Sequence, residues 1–144
     1  MQAVLNVTAF FAKQERLEYV SNKLLGTVAR FSARKMQNSQ PKTIEELGKC
    51  WQKAFPSPKQ VPLVSIKEGT VYAEIRTPCP LRGSGDLKAC YRMMEYDRAY
   101  MTLFGGEFVV LRSQAEDGVN VCKVAIQFAG KYNSTKLVHA HLQL

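Results

Sequence analysis

The hydrophobic period of this chain changes once, across Pro56-Ser57-Pro58, and that change limits the folds open to it. Before the prolines, apolar residues recur at steps of three and four. From Thr8 to about Lys35, Leu17, Val20, Leu24, Val28 and Phe31 fall on one stripe, widened by Phe10, Phe11 and Leu25. That is the spacing of an amphipathic helix. Gln37-Asn38-Ser39-Gln40-Pro41 breaks it with turn formers and a proline. A second helix is predicted from Thr43. Thr43 and Glu46 have the spacing of a capping box, in which hydroxyl and carboxylate each satisfy a backbone N–H. Ile44, Leu47, Trp51 and Phe55 form its apolar face, and Cys50 reads as a packing residue on it.

Past the prolines the period becomes two. Val61 to Ile66 and Thr70 to Arg76 flank Lys67-Glu68-Gly69, a hairpin connection. Val71, Ala73 and Ile75 alternate with Tyr72, Glu74 and Arg76, so one face is expected to be buried. A loop carrying Cys79 and Gly83-Ser84-Gly85 follows. Asp86 is then a good N-cap for a central helix running to about Phe104, ended by Gly105-Gly106. On that helix Cys90, Met94, Asp97, Met101 and Phe104 share a face. A second hairpin is predicted from Glu107 to Gln114 and Val119 to Phe128, turning at Glu116-Asp117-Gly118. Cys122, Val124, Ile126 and Phe128 point to one side of its last strand. The tail, Lys136 to Leu144, alternates again and reads as an edge strand or a strand that pairs with a second subunit.

These elements give an α+β fold, N-terminal helices and a central helix packed on an antiparallel sheet of β-hairpins. At 144 residues the chain is about one domain. It divides into a helical half (1–58), a hairpin–helix–hairpin half (59–130) and a C-terminal extension (131–144). No apolar run approaches the ~20 residues of a membrane span, and Met1 to Asn6 do not look like a secretion signal. Four cysteines without such a signal point to a reducing, cytoplasmic setting. The formal charge of +8 is concentrated in residues 1–60, which hold ten Lys/Arg against four Asp/Glu. Those cations are spaced singly and not interleaved with aromatics. They read as a solvated helix face, which argues against a nucleic-acid partner.

The residue types that chemistry needs are concentrated in three cysteines of the second half. Cys79 follows a strand in Thr77-Pro78-Cys79-Pro80-Leu81, Cys90 lies near a helix start, and Cys122 lies in a strand. Should these elements pack together, the three thiols converge. Their separations of eleven and thirty-two positions exclude a zinc knuckle. Three thiolates from separate elements remain a candidate set, Cys79, Cys90 and Cys122, for zinc or an iron–sulfur cluster. As a nucleophile, Cys90 has a helix N-terminus, Lys88 and Arg92 to lower its pKa. Cys79 is the other candidate nucleophile, and Asp97 is the candidate base. The only histidines, His139 and His141, sit in the tail. Arg76 and Arg82, which bracket the Cys79 loop, and Arg112 are candidate anchors for an anionic ligand. Met94 and Met101 are candidates to line an adaptable pocket with Cys122.

Residues 70–128 resemble the L-2-amino-thiazoline-4-carboxylic acid hydrolase-like family and, more distantly, the 4-vinyl-reductase sensor domain. The resemblance is carried by Cys79-Pro80, Cys90, Tyr96-Asp97, Leu111-Arg112-Ser113-Gln114, Gly118 and Cys122. It implies a small molecule bound near the cysteines, with hydrolases and ligand sensors among the relatives. Some sensor relatives hold zinc near the last hairpin. Leu111 and Gln114 stand where that pattern has Glu and Cys, so that ligand set does not carry over.

Three readings follow. The first is a small-molecule-binding, sensor-like domain, expected to be a homodimer, with a pocket bordered by the three cysteines. The second is a hydrolase acting on a small thiazoline-type or related acid through a cysteine nucleophile. The third is a metal or iron–sulfur redox module.

Overall fold

The computed structural model describes residues 27, 40–131 and 140. Its elements are helix α1 (Ile44–Gln52), a 3-10 turn (Pro58–Gln60), strands β1 (Leu63–Lys67) and β2 (Thr70–Ile75), helices α2 (Leu87–Met93) and α3 (Glu95–Thr102), and strands β3 (Gly106–Arg112) and β4 (Cys122–Phe128). The strands form one antiparallel sheet in the order β1-β2-β4-β3. The α+β class expected from the change of period is the class observed. The expected first helix, apart from the exposed, helical Thr27, and the expected tail strand, apart from the buried Ala140, lie outside the described residues. Among the described residues no helix is long and apolar enough to cross a membrane.

Helix α1 starts as its sequence dictates. Thr43 Oγ1 accepts from Glu46 N at 3.2 Å, and Glu46 Oε2 accepts from Thr43 N at 3.3 Å and Lys42 N at 2.7 Å. The helix lays Leu47, Gly48, Cys50 and Trp51 on the sheet. Burying Leu47 and Trp51 fully contributes roughly 1.5–3 kcal/mol each. Gly48 sets how closely the layers approach. A Cβ built there would lie 3.1 Å from both methyls of Val71 and 3.3 Å from a Leu63 methyl. Trp51 packs edge-on against Phe55, with ring centres 5.1 Å apart, and tilted against Phe108 at 5.7 Å.

The first hairpin turns through two residues, Glu68 and Gly69, because Lys67 pairs with Thr70. Both have positive φ, 47° and 71°, the combination whose twist matches that of the flanking strands. Val71, Ala73 and Ile75 are buried, as alternation predicts. Strand β2 then pairs with β4 over its whole length, from Thr70 opposite Gln127 to Ile75 opposite Cys122.

Two expectations about element boundaries are corrected. The central helix is not continuous from Asp86 to Phe104: it breaks at Met94, where ψ is 2°. No Gly or Pro marks the break. Arg98 fastens it instead, donating to the Tyr91 carbonyl at 2.5 Å and to Glu95 Oε2 at 2.8 Å while its guanidinium lies 3.8 Å from the centre of the Tyr91 ring. The expected shared face survives the break, since Cys90, Met94, Asp97, Met101 and Phe104 are all buried. The second hairpin is shorter than its alternation suggests. Strand β3 ends at Arg112 and β4 begins at Cys122, leaving 113–121 as a loop.

Candidate functional site

That loop organises the second half of the chain. Ser113 and Gln114 leave the β-ladder because side chains offer their backbone other partners. Ser113 Oγ accepts from Ala115 N at 3.0 Å, and Glu116 Oε1 accepts from Ser113 N at 2.6 Å. This is the Ser-x-x-Glu spacing of a helix start, the device Thr43 and Glu46 use for α1. Here Asp117-Gly118, with Gly118 at φ 70°, prevents a helix from continuing.

Gln114 is fully buried, and its side chain makes five hydrogen bonds. Nε2 donates to the carbonyls of Ile75 (3.1 Å) and Thr77 (3.0 Å). Oε1 accepts from Cys79 N (3.1 Å) and from Arg82 Nε and Nη2 (3.1 and 2.9 Å). Gly83 N donates to its backbone carbonyl at 2.8 Å. One glutamine therefore ties the whole segment from the end of β2 through Gly83 to the loop before β4.

The three cysteines meet on this same pair of residues. Cys90 Sγ lies 3.0 Å from Ser113 Oγ, Cys122 Sγ accepts from Gln114 N at 3.2 Å, and Cys79 N donates to the Gln114 side chain. Cys90 and Cys122 are buried; Cys79 is half-buried, its sulfur accepting from Leu81 N at 3.4 Å. The thiols sense one another. Burial chiefly pushes Cys90 up to about 12, with Ser113 opposing and Cys122 and Cys79 adding to the rise. Burial likewise pushes Cys122 up to about 11, opposed by the Gln114 N–H and assisted by Cys79. Cys79 is raised by burial, with the Leu81 N–H and the Arg82 charge working the other way. The lowered pKa expected of Cys90 from its helix start is thus overturned. Desolvation of the thiolate outweighs a helix of seven residues.

Asp97 forms the other side of the cluster. It is 6% exposed, on α3, and its Oδ1 accepts from the indole Nε1 of Trp51 on α1 at 2.8 Å. Burial pushes its carboxyl up to about 6, with Trp51 and the Arg98 charge opposing. Its charge also contributes to the rise at Cys122. Tyr100, one turn on, donates to the Cys50 carbonyl at 3.5 Å, so two polar contacts join α3 to α1.

The other candidate residues are dispersed. Met94 and Met101 are buried, with the Met101 terminal methyl 3.0 Å from where a Cβ on Gly106 would lie. The Arg76 guanidinium, largely exposed, pairs with Glu74 at 2.9 Å, and that of Arg112 pairs with Glu116 at 3.2 Å. Neither cation is brought to the thiols by the contacts it makes. Arg82, bonded to Gln114 and to the Asn120 carbonyl at 2.9 Å, is the arginine that reaches them. His139 and His141 lie outside the described residues.

A zinc or iron–sulfur centre does not fit what is described. The contacts of the three thiols are to Ser113, Gln114 N and Leu81 N, and no group of three or more His, Cys, Asp or Glu among the described residues is arranged to hold a metal.

Sequence reasoning missed Ser113 and Gln114 as the organising pair, because they were read as the end of a strand. The signal that could have found them is the Ser113-x-x-Glu116 spacing, which the alternation of β3 overrode. No family model matches the chain, and neither a curated protein nor a solved structure matches it.

Proposed function

We propose that this chain is a small-molecule-binding, sensor-like domain that receives its ligand beside Cys79, Cys90, Asp97 and Cys122. The observation that carries this reading is Asp97. A carboxyl group kept in an apolar core, with the Trp51 indole as its side-chain donor, is costly to stability, and such groups concentrate at functional sites. The protonated thiols form a soft, weakly polar surround, in a core that also holds Met94 and Met101. That chemistry suits a mainly apolar ligand with one group that hydrogen-bonds a carboxyl. The resemblance of residues 70–128 to the thiazoline-acid hydrolase-like family and the 4-vinyl-reductase sensor domain supports the same place on the chain. The homodimer and the cytoplasmic setting expected from the sequence belong to this proposal; four free thiols suit a reducing compartment.

The hydrolase alternative is not favoured at Cys90, where it requires a thiolate and burial favours the thiol. The test is a thermal-shift titration against a panel of small thiazoline-type acids and neutral apolar heterocycles. A binder raises the melting temperature with concentration, as mass action requires. The rise is expected to vanish in Asp97→Asn and to persist in Cys50→Ser, whose thiol lies on α1. A panel with no concentration-dependent rise, or a rise indifferent to Asp97, would sink the proposal.

A further inference from the structure

Cys79 and Cys122 are attached to opposite ends of one glutamine. Cys79 is held through its backbone N–H on the Gln114 side-chain oxygen, 3.1 Å away, and Cys122 through its sulfur on the Gln114 backbone N–H, 3.2 Å away. The two chain segments are also joined through the sheet, since Ile75 pairs with Cys122 and Cys79 follows Ile75 by four residues. Gln114 Nε2 bonds the carbonyls of Ile75 and Thr77, which bends that connection back over the end of β4. Of the three clustered thiols only Cys79 is partly open to solvent. Its sulfur accepts the Leu81 N–H and lies near the Arg82 charge, and both work against the rise that burial imposes on this thiol.

From this placement we infer that Cys79 and Cys122 are a redox pair, closed to a disulfide by a hydroperoxide. In the first step the Cys79 thiolate attacks the peroxide oxygen. The O–O bond breaks, Cys79 becomes a sulfenic acid, and one water (or alcohol) leaves with the thiol proton. In the second step the Cys122 sulfur attacks the Cys79 sulfur, the S–O bond breaks, and the hydroxyl leaves as water with the Cys122 proton. Two electrons pass from two thiols to one peroxide. The new S–S bond replaces two contacts, Leu81 N–H to the Cys79 sulfur and Gln114 N–H to the Cys122 sulfur. This inference does not depend on the ligand-binding reading, because its readout is the bond itself.

The experiment treats the folded, full-length protein with hydrogen peroxide, alkylates free thiols after unfolding, and maps peptides by mass. The expected product has lost two hydrogens and carries a Cys79–Cys122 cross-link reversed by dithiothreitol. Cys79→Ser, at a half-buried loop position, is expected to abolish the cross-link while keeping the parent circular dichroism; Cys50→Ser is expected to retain it. Cys79 advancing to sulfinic acid while Cys122 is still alkylated would overturn the inference. So would a cross-link between other cysteines or between two chains.

Discussion

Replacing Asp97 by Asn separates what the buried carboxyl costs from what its hydrogen bond contributes. The carboxyl ordinarily titrates at 3.8, and in the fold at about 6. Between those values the folded state holds a proton that the unfolded state has released. Stability from this group is therefore complete below pH 3.8, falls as pH rises, and is gone above about 6. At about 1.4 kcal/mol per pH unit, the loss across the window is about 3 kcal/mol. Asn keeps an oxygen for Trp51 Nε1 and has no proton to lose, so the variant should not show this fall. Its amide donors enter a buried site, where an unmet donor costs about 1–3 kcal/mol, so the absolute stability at pH 7 is a net of two effects. The slope is the clean quantity. Glu46, whose carboxylate is held below its ordinary value by the backbone N–H groups of Lys42 and Thr43, gives an opposing slope to both proteins and cancels in the comparison. Trp51, the single tryptophan and the donor to Asp97, reports unfolding in urea by its fluorescence. Parent and variant are compared from pH 4 to 7. A difference in unfolding free energy that stays constant across the window would refute the argument that burial of this carboxyl opposes folding.

Gln114→Ala removes five side-chain hydrogen bonds and leaves the Ile75 and Thr77 carbonyls without that donor; a loss of about 3 kcal/mol or more is expected in urea unfolding. Gln114→Glu, which cannot donate to those carbonyls when ionised, should recover little of it. Gly48→Val forces side-chain carbons toward Val71, which is fully buried in a central strand and has nowhere to move, and should lower stability by about 1–3 kcal/mol. Glu68→Asn, at φ 47° in the two-residue turn, should raise it by a few tenths to about 1 kcal/mol, read as a higher melting temperature.

Periodicity made most of the fold legible. The capping box at Thr43 located α1, and the alternation of Val71, Ala73 and Ile75 located β2 and its buried face. The Glu68-Gly69 turn located the first hairpin. What escaped was set by contacts distant in sequence or by side chains competing with regular structure. The break at Met94 depends on an arginine taking a carbonyl seven residues earlier, with no Gly or Pro to announce it. Ser113-Gln114 and Val119 to Val121 keep enough alternation to read as strand ends, and the Ser113–Glu116 pairing helps take the first of these out of the ladder. At the site, the residue types of the cluster were visible, as was the shared face of Cys90 and Asp97. Their chemistry was not. A helix start argues for a reactive Cys90 until its burial is known, and burial is a property of the whole packed core.

The strand order has a consequence for how the chain reaches its native state. The sheet runs β1-β2-β4-β3, so the latest of the described strands in sequence occupies an interior position. The first hairpin can zip locally, but β2 keeps one row of backbone groups unpaired until Cys122–Phe128 arrives from about fifty residues downstream, and β3 waits for the same segment. During synthesis both rows stay bare until β4 has emerged. Closure of so long a loop makes its insertion the slow step, as expected for folds dominated by distant pairings. A chain interrupted before Cys122 would therefore present two open strand edges at once, the condition most prone to intermolecular pairing.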